Sequence, residues 1–440
     1  MRVIADLHIH GRYSRAASSD MDVKRIARFS KVKGLTLVGT GDFTHPKWLR
    51  EIKDSLVEYD GSGLYKLIEM PDLPVWFMIT GEVSTIFEFE RKTRRIHHVI
   101  LTPSIEVAEQ INDRLSKYGD LEADGRPTLN MSAAHLVEEV IAVSRDNIVF
   151  PAHAWTPWFS VFGAFSGFDR ISDCYQDMTR YVYALETGLS SDPPMNWRLS
   201  SLDRFTLLSN SDSHSYWPWR IGREANVFEV NRLTYRDIVN SIIRKDPNIL
   251  RFTIETDPAY GKYHWTGHRA CGVSLPPAEA IRLGGRCPVC NKTLTKGVEQ
   301  RVEELADRPY GFKPEGSPGY VHLLPLSEVI SAVIGASSPS SQKVWSIYNA
   351  LISRFGDEYT VLLDASFEDM ARIVDPSIAE AVIRVREGRV KVIPGYDGVY
   401  GRIIIFPEKG KGVAGGFEDS EKTEFKIGSE VKQKSLTDFF

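Results

Sequence analysis

The histidines of this sequence recur in step with its apolar runs. Asp6-Leu7-His8-Ile9-His10 follows Val3-Ile4-Ala5 directly, and in an extended chain residues two apart point the same way, so His8 and His10 can approach one ion together. Further donors come after later apolar runs: Asp42 and His45 after Leu37-Val38, Glu82 after Met78-Ile79, His98, His153 after Val149-Phe150, and Asp212 and His214 after Leu207-Leu208. Six of the 11 histidines are thereby placed at the ends of candidate strands. Imidazoles together with carboxylates suit Zn²⁺, Mn²⁺ or Fe²⁺, and a bridging carboxylate can hold two such ions close together. That chemistry generates hydroxide near neutral pH and stabilises charge on a phosphoryl oxygen, so the pattern predicts hydrolysis of phosphate esters. A metal-dependent amidohydrolase would use a similar palette.

A second, softer donor set lies further on. His268-Arg269-Ala270-Cys271 and Cys287-Pro288-Val289-Cys290 form H-x-x-C and C-x-x-C separated by 15 residues, a spacing that predicts one structural zinc ion. His264 is an alternative to His268, and Cys174 reads as a packed core residue. The flanks are Gly-rich, so zinc would supply the folding free energy that burial cannot. Aromatic residues crowd after two of the histidines: Trp155, Trp158 and Phe159 after His153, and Tyr216, Trp217 and Trp219 after His214. They are candidates for stacking on bases, or equally for loop core. The last eight residues, with Gln433, Leu436, Phe439 and Phe440 in the order Q-x-x-h-x-x-a-a, match a sliding-clamp (PCNA) interaction box in which the apolar side chains plug a pocket.

Positioning these groups requires a scaffold. Val3–Ala5, Thr36–Val38, Val75–Ile79, His98–Leu101, Asn147–Phe150, Tyr183–Glu186 and Phe205–Leu208 read as strands, alternating with amphipathic stretches such as Val23–Lys33 and Ala133–Ser144. That alternation predicts parallel strands with crossover helices, and seven or so repeats point to an α/β barrel whose strand ends share one face. The expected domains are a barrel over residues 1–255, a zinc module over 256–300 too small for its own apolar core, a helix-rich α+β domain over 301–406, and a flexible tail over 407–440. In the third region Lys343–Phe355 presents one apolar face and stops at Gly356, and a second helix starts at Asp375-Pro376. With 440 residues, 42% hydrophobic, 25% charged and a net charge of −4, the chain is neither disordered nor a bulk coat for nucleic acid. Only 4 cysteines exclude a disulfide scaffold. No leader or membrane-length apolar run is evident, which predicts a cytoplasmic protein with no membrane partner.

The ordered series D-L-H-I-H, G-D-F-T-H, G-E-V-S, H-H-V-I-L, P-A-H-A-W and S-D-S-H resembles the motifs of the polymerase and histidinol phosphatase (PHP) superfamily over about 215 residues. The resemblance implies a distorted (β/α)7 barrel with up to three divalent ions (Zn²⁺, Mg²⁺ or Mn²⁺). His8, His10, Glu82 and Asp212 would form one site, Glu82, His98 and His153 a second, and His214 with the Asp42 motif a third. Asp42 is followed by Phe43 where that superfamily has histidine, so His45 would have to substitute or the third ion would be weak or absent. His98 is preferred to His97 because apolar residues follow it. The whole combination of barrel, finger, C-terminal domain and clamp box resembles the archaeal endonuclease Q family. That resemblance implies a monomer acting on damaged double- or single-stranded DNA, nicking 5′ to uracil, hypoxanthine, xanthine and abasic sites, located with the nucleoid and delivered by the clamp. Glu186 and Asp192, in E-T-G-L-S-S-D-P-P, join Asp212 and His214 as catalytic or lesion-positioning candidates, although Asp192 could simply cap a turn. The rival functions are a small-molecule phosphatase, which needs neither finger nor clamp box, and a non-catalytic DNA scaffold, in which the ligands would be eroded.

Overall fold

The first strand, Arg2–Asp6, buries Val3, Ile4 and Ala5 on both of its faces, as expected of a strand covered on each side. It pairs in parallel with Leu37–Gly39 through Ala5↔Leu37, and that strand pairs in parallel with Trp76–Phe89 through Leu37↔Trp76. The first crossover is the predicted helix Val23–Lys33. Asp22 caps it by accepting from the Arg25 N–H, Gly34 ends it at φ 95°, and Val23, Ile26, Ala27 and Ser30 are buried along one side. This computed structural model describes residues 1–407 and 411–414, so the clamp-type peptide over 433–440 lies outside the described residues.

Beyond these three strands the pairing is not the uniform parallel set that the alternation predicts. Trp76–Phe89 folds back on Lys92–Thr102 as an antiparallel hairpin, from Ile79↔Thr102 to Phe89↔Lys92, and Lys92–Thr102 pairs antiparallel with Ile148–Pro151. The hairpin turns on Glu90 and Arg91, both at positive φ (51° and 61°). Such a two-residue turn is usually announced by Asn or Gly, so this one is silent in the sequence. On its other side the first strand pairs antiparallel with Ala225–Glu229, which pairs antiparallel with Leu250–Glu255. Ala184–Glu186 and Thr206–Leu208 form a separate parallel pair. The architecture is mixed α/β.

The region expected as a third domain is not detached. Its strand Gly319–His322 extends the main sheet by pairing in parallel with Leu250–Glu255, and one apolar cluster runs from Ile4 through to Ala414. Lys33 and Glu358, both buried, meet at 2.8 Å, and the Tyr348 hydroxyl donates to the other Glu358 oxygen at 2.8 Å. The helices Gln342–Phe355 and Pro376–Arg386 stand where predicted. The tail expected to be flexible from residue 407 instead pairs Lys411–Ala414 antiparallel with Arg402–Phe406, setting Val413 against Ile404. The segment over 256–300 also has a small core after all, formed by Leu275, Ala280, Cys287 and Leu294. No helix among the described residues is long and apolar enough to cross a membrane.

Candidate metal centre

The strand Arg2–Asp6 delivers His8 and His10 to a pocket closed by the loop over 209–214, and buried hydrogen bonds fix the two together. Asp6 accepts from the Ser211 N–H (3.1 Å) and hydroxyl (2.5 Å), Asn210 Oδ1 accepts from the Leu7 N–H at 3.0 Å, and the His10 N–H donates to the Ser213 carbonyl at 2.8 Å. Three residues of the centre adopt positive φ without being glycine: Asp42 (47°), His153 (30°) and Asp212 (49°). Such backbone is held only where its surroundings over-determine it. Gly188 shows how tight they are, since a Cβ there would fall 2.7 Å from that of His153.

Glu82 is fully buried and its two oxygens face different donor sets. Oε2 lies 3.2 Å from His10 Nε2 and 3.5 Å from His8 Nε2; His10 Nε2 and His8 Nε2 are in turn 2.9 and 3.6 Å from Asp212 Oδ1. Oε1 lies 3.0 Å from His97 Nδ1 and 3.3 Å from His153 Nε2. Two groups of ligating atoms result, His8/His10/Glu82/Asp212 and Glu82/His97/His153, each gathered within 4.8 Å and sharing one carboxylate. The donor chemistry fits a pair of divalent cations. His8 Nε2 and Glu82 Oε1 are buried with no hydrogen-bond partner, and burial holds the His97 imidazole down at about pKa 4, keeping its lone pair free. Burial opposes ionisation of Glu82, yet Arg126 and His97 bring its carboxyl well below the usual range. A carboxylate stands behind each of the first two histidines. Glu186 lies 3.0 Å from His8 Nδ1 and Asp42 lies 2.9 Å from His10 Nδ1, which turns both Nε2 atoms toward the centre.

Several expected site residues have other positions. His98 is not in the second group. Adjacent strand residues face opposite ways, and the hairpin register sets His97 against Ser84, on the side of Glu82, so His98 points away to hydrogen-bond with Thr85 Oγ1 and the Tyr175 hydroxyl, each at 2.8 Å. His45 joins neither group: the turn at Asp42 carries it to the start of the helix Pro46–Ser55, where its ring stacks on Tyr13 at 4.6 Å. Asp42 also accepts from the Gly11 N–H at 2.6 Å, so both of its oxygens are engaged. No third group of donors forms around it among the described residues. Glu186 is fully buried behind His8 and does not face the cleft. Asp192 caps the helix Pro193–Trp197 and lies 3.1 Å from His322 Nε2. His214 stands beside the centre, its ring 4.2 Å from that of His10.

Of the aromatic candidates, Trp155 is core, buried with its indole N–H donated to Asn196 Oδ1 at 2.8 Å. Trp217 and Trp219 stack on each other at 4.9 Å and pack against Trp345 of the C-terminal region, while Tyr216 lies against Phe29. Trp158 is exposed and stacked on Phe165, and Phe159 covers His97 at 5.0 Å. Away from this centre, His268, Cys271, Cys287 and Cys290 gather their ligating atoms within 4.8 Å. His264 instead faces Glu299 at 3.3 Å. No sequence pattern singled out Arg126, Asn210 or His322, whose partners lie 44, 203 and 130 residues away along the chain.

A mixed α/β scaffold that presents a carboxylate-bridged pair of His/Asp/Glu donor sets defines a metal-dependent hydrolase type of centre. Relatives narrow the class. Residues 325–389 match the family model described as the MJ0043 C-terminal domain. The chain is 34% identical over 261 residues to the uncharacterized protein MJ0043 of Methanocaldococcus jannaschii, covering 58% of this chain and 32% of that one, so it spans about a third of that relative's length. It is 28% identical to the Bacillus subtilis protein YqxK over 91% of this chain and 99% of the relative. Among solved structures, the lesion-specific endonuclease PfuEndoQ of Pyrococcus furiosus superposes with a TM-score of 0.82 at 34% identity, covering 92% of this chain and 95% of that one. An endonuclease Q bound to a 27-mer duplex with an abasic lesion at its active site gives 0.81 at 34% identity, covering 96% and 100%. This chain belongs to the endonuclease Q family.

Proposed function

We propose that this protein is a metal-dependent DNA endonuclease that hydrolyses the phosphodiester on the 5′ side of abasic sites and deaminated bases (uracil, hypoxanthine and xanthine). The observation that carries the reading is the bridging geometry of Glu82, with its oxygens facing two donor sets in a fold shared with a lesion-specific endonuclease. On this reading residues 1–255 act as a distorted (β/α)7 PHP-type barrel, His268, Cys271, Cys287 and Cys290 hold a structural zinc, and the clamp-type peptide recruits PCNA. The protein would work as a monomer in the cytoplasm, at the nucleoid. His8, His10, Glu82 and Asp212 would hold one divalent ion, and Glu82, His97 and His153 a second. Such ions supply an activated water at neutral pH and neutralise charge on the phosphoryl oxygens. Glu186 and Asp42 fix the histidine tautomers, and the buried walls exclude competing solvent. A missing or mispaired base is cheaper to turn out of the stack. Trp158, exposed and stacked on Phe165, is a candidate for filling the gap, and the Asp192–His322 pair is a candidate for positioning the strand.

The test is incubation of duplexes carrying an abasic site, uracil or hypoxanthine with Mn²⁺ or Mg²⁺, with the cut mapped on a sequencing gel. A nick immediately 5′ to the lesion is expected. Asp212→Ala should lower its rate by more than about 1,000-fold while the circular dichroism spectrum is kept. Cutting 3′ to the lesion, or efficient hydrolysis of p-nitrophenyl phosphate with no nicking, would replace this reading with a different phosphoesterase.

A further inference from the structure

Arg126 is a charged side chain at the centre that belongs to neither donor set. Its Nη1 donates to the bridging carboxylate, Glu82 Oε2, at 2.9 Å. Among the described residues Glu82 is the only acceptor that its side chain meets at hydrogen-bond distance, and the Arg126 side chain is 24% exposed while that of Glu82 is not exposed at all. One edge therefore points into the centre while part of the side chain remains open to solvent. The position is built rather than fortuitous. Asp124 Oδ1 accepts from the backbone N–H groups of Arg126 and Arg15, each at 3.1 Å, and Thr44 donates its hydroxyl to the Gly125 carbonyl at 3.3 Å. The Gly125 backbone presses so closely on the site that a Cβ would stand 2.4 Å from Asp42 Oδ2. The loop that carries Arg126 is thus moulded on Asp42, the residue whose own oxygens are spent on His10 and Gly11.

Charge gives this arrangement its meaning. Four carboxylates touch the histidine donors: Asp42, Glu82, Glu186 and Asp212. They match two divalent cations in charge, so a phosphodiester anion would meet a centre with no net attraction. A third ion would supply the excess, but His45 is turned onto Tyr13 and no third donor group forms at this centre among the described residues. We propose that Arg126 takes the place of a third cation: it anchors the bridging carboxylate through one N–H and offers others to a non-bridging oxygen of the scissile phosphodiester. A guanidinium can do both at once because its donors are fixed in a planar fork, which an ammonium lacks. The proposal rests on the endonuclease reading of the same centre.

The experiment compares wild type, Arg126→Gln and Arg126→Lys after Mn²⁺ loading, with Mn and Zn counted separately by mass spectrometry and single-turnover nicking followed against protein concentration. Two Mn per chain are expected in all three proteins. Arg126→Gln should lower the maximal rate by about 100- to 1,000-fold, the cost of removing one donor to a developing oxyanion, and Arg126→Lys should keep about a tenth of the wild-type rate. Three Mn per chain in wild type, loss of Mn from Arg126→Gln, or a rate for that variant within about twofold of wild type would each overturn the proposal. If wild type nicks no lesion-bearing duplex, the endonuclease reading fails. The Mn count together with hydrolysis of bis(p-nitrophenyl) phosphate then decides on Arg126 alone.

Discussion

In the Glu82 centre His8, His10, His97 and His153 are buried and the first two have a carboxylate behind them, whereas in the Cys/His cluster Cys290 is exposed and only Cys287 belongs to a core, one of four residues. The first is assembled from strand ends and loops that the main core positions anyway, and it gathers like charge in a buried place. The second joins a short hairpin, Thr266–His268 with Val273–Leu275, which carries His268 and Cys271, to the loop that carries Cys287 and Cys290. Carboxylate and imidazole donors that share one bridging ligand suit chemistry on a bound group, while a closed tetrahedral thiolate set suits holding a fold together. The contrast teaches that the Glu82 centre owes its shape to the main core, whereas the Cys/His cluster has only a four-residue core of its own beside it.

The sharpest way to break that comparison is the pair of adjacent histidines. His97→Ala should remove one ion of the Glu82 centre and lower nicking by more than about 100-fold. His98→Gln should keep both ions and a rate within about threefold, and instead cost about 1–2 kcal/mol of stability through the bonds to Thr85 and Tyr175. Metal counting, nicking rate and thermal unfolding of the two variants separate the effects. An equal loss of metal in both would show that the strand register does not assign the ligand. The finger should respond differently. Cys287→Ser should release its zinc and expose the segment over 264–296 to proteolysis, while nicking at saturating DNA falls by less than about tenfold. A collapse of nicking as complete as that of His97→Ala would mean that the two sites are one unit.

How much of this was legible depended on the distance over which each residue is fixed. His8 and His10 were readable because an extended chain after an apolar run dictates their parity. The choice between His97 and His98 was not, because parity there is set by pairing with Trp76–Phe89 through a turn at Glu90 and Arg91 that lacks the usual turn residues. The helix Val23–Lys33 was fully legible, since its Asp22 cap and Gly34 stop are local. Arg126, Asn210 and Asp6 act only through contacts made by the finished fold. Trp155 stayed open between base platform and core because an aromatic near a histidine looks the same in sequence whether its indole meets DNA or Asn196.

A smaller effect tests buried carboxylates of the same fold that stand outside the two donor sets. Glu255 is fully buried, accepts from the hydroxyls of Thr253, Thr187 and Ser209 at 2.5, 3.0 and 3.1 Å, and is pushed up to about pKa 7, chiefly by burial and then by Asp192 against the pull of those bonds. Glu224, equally buried, is raised well above its usual value by burial and by Glu255. A carboxyl whose folded pKa lies above its unfolded value is neutral in both states below about pH 4.5. As pH rises from there the unfolded chain ionises first, so the native state loses stability up to about pH 7, and the penalty is constant beyond it. Glu255→Gln should therefore leave stability nearly unchanged at pH 4.5 and raise it at pH 8, by a gain on the order of 1–3 kcal/mol. Urea unfolding of both proteins at the two pH values measures the difference. A variant that is destabilised equally at both would mean that the three hydroxyl bonds, rather than the buried charge, govern this position.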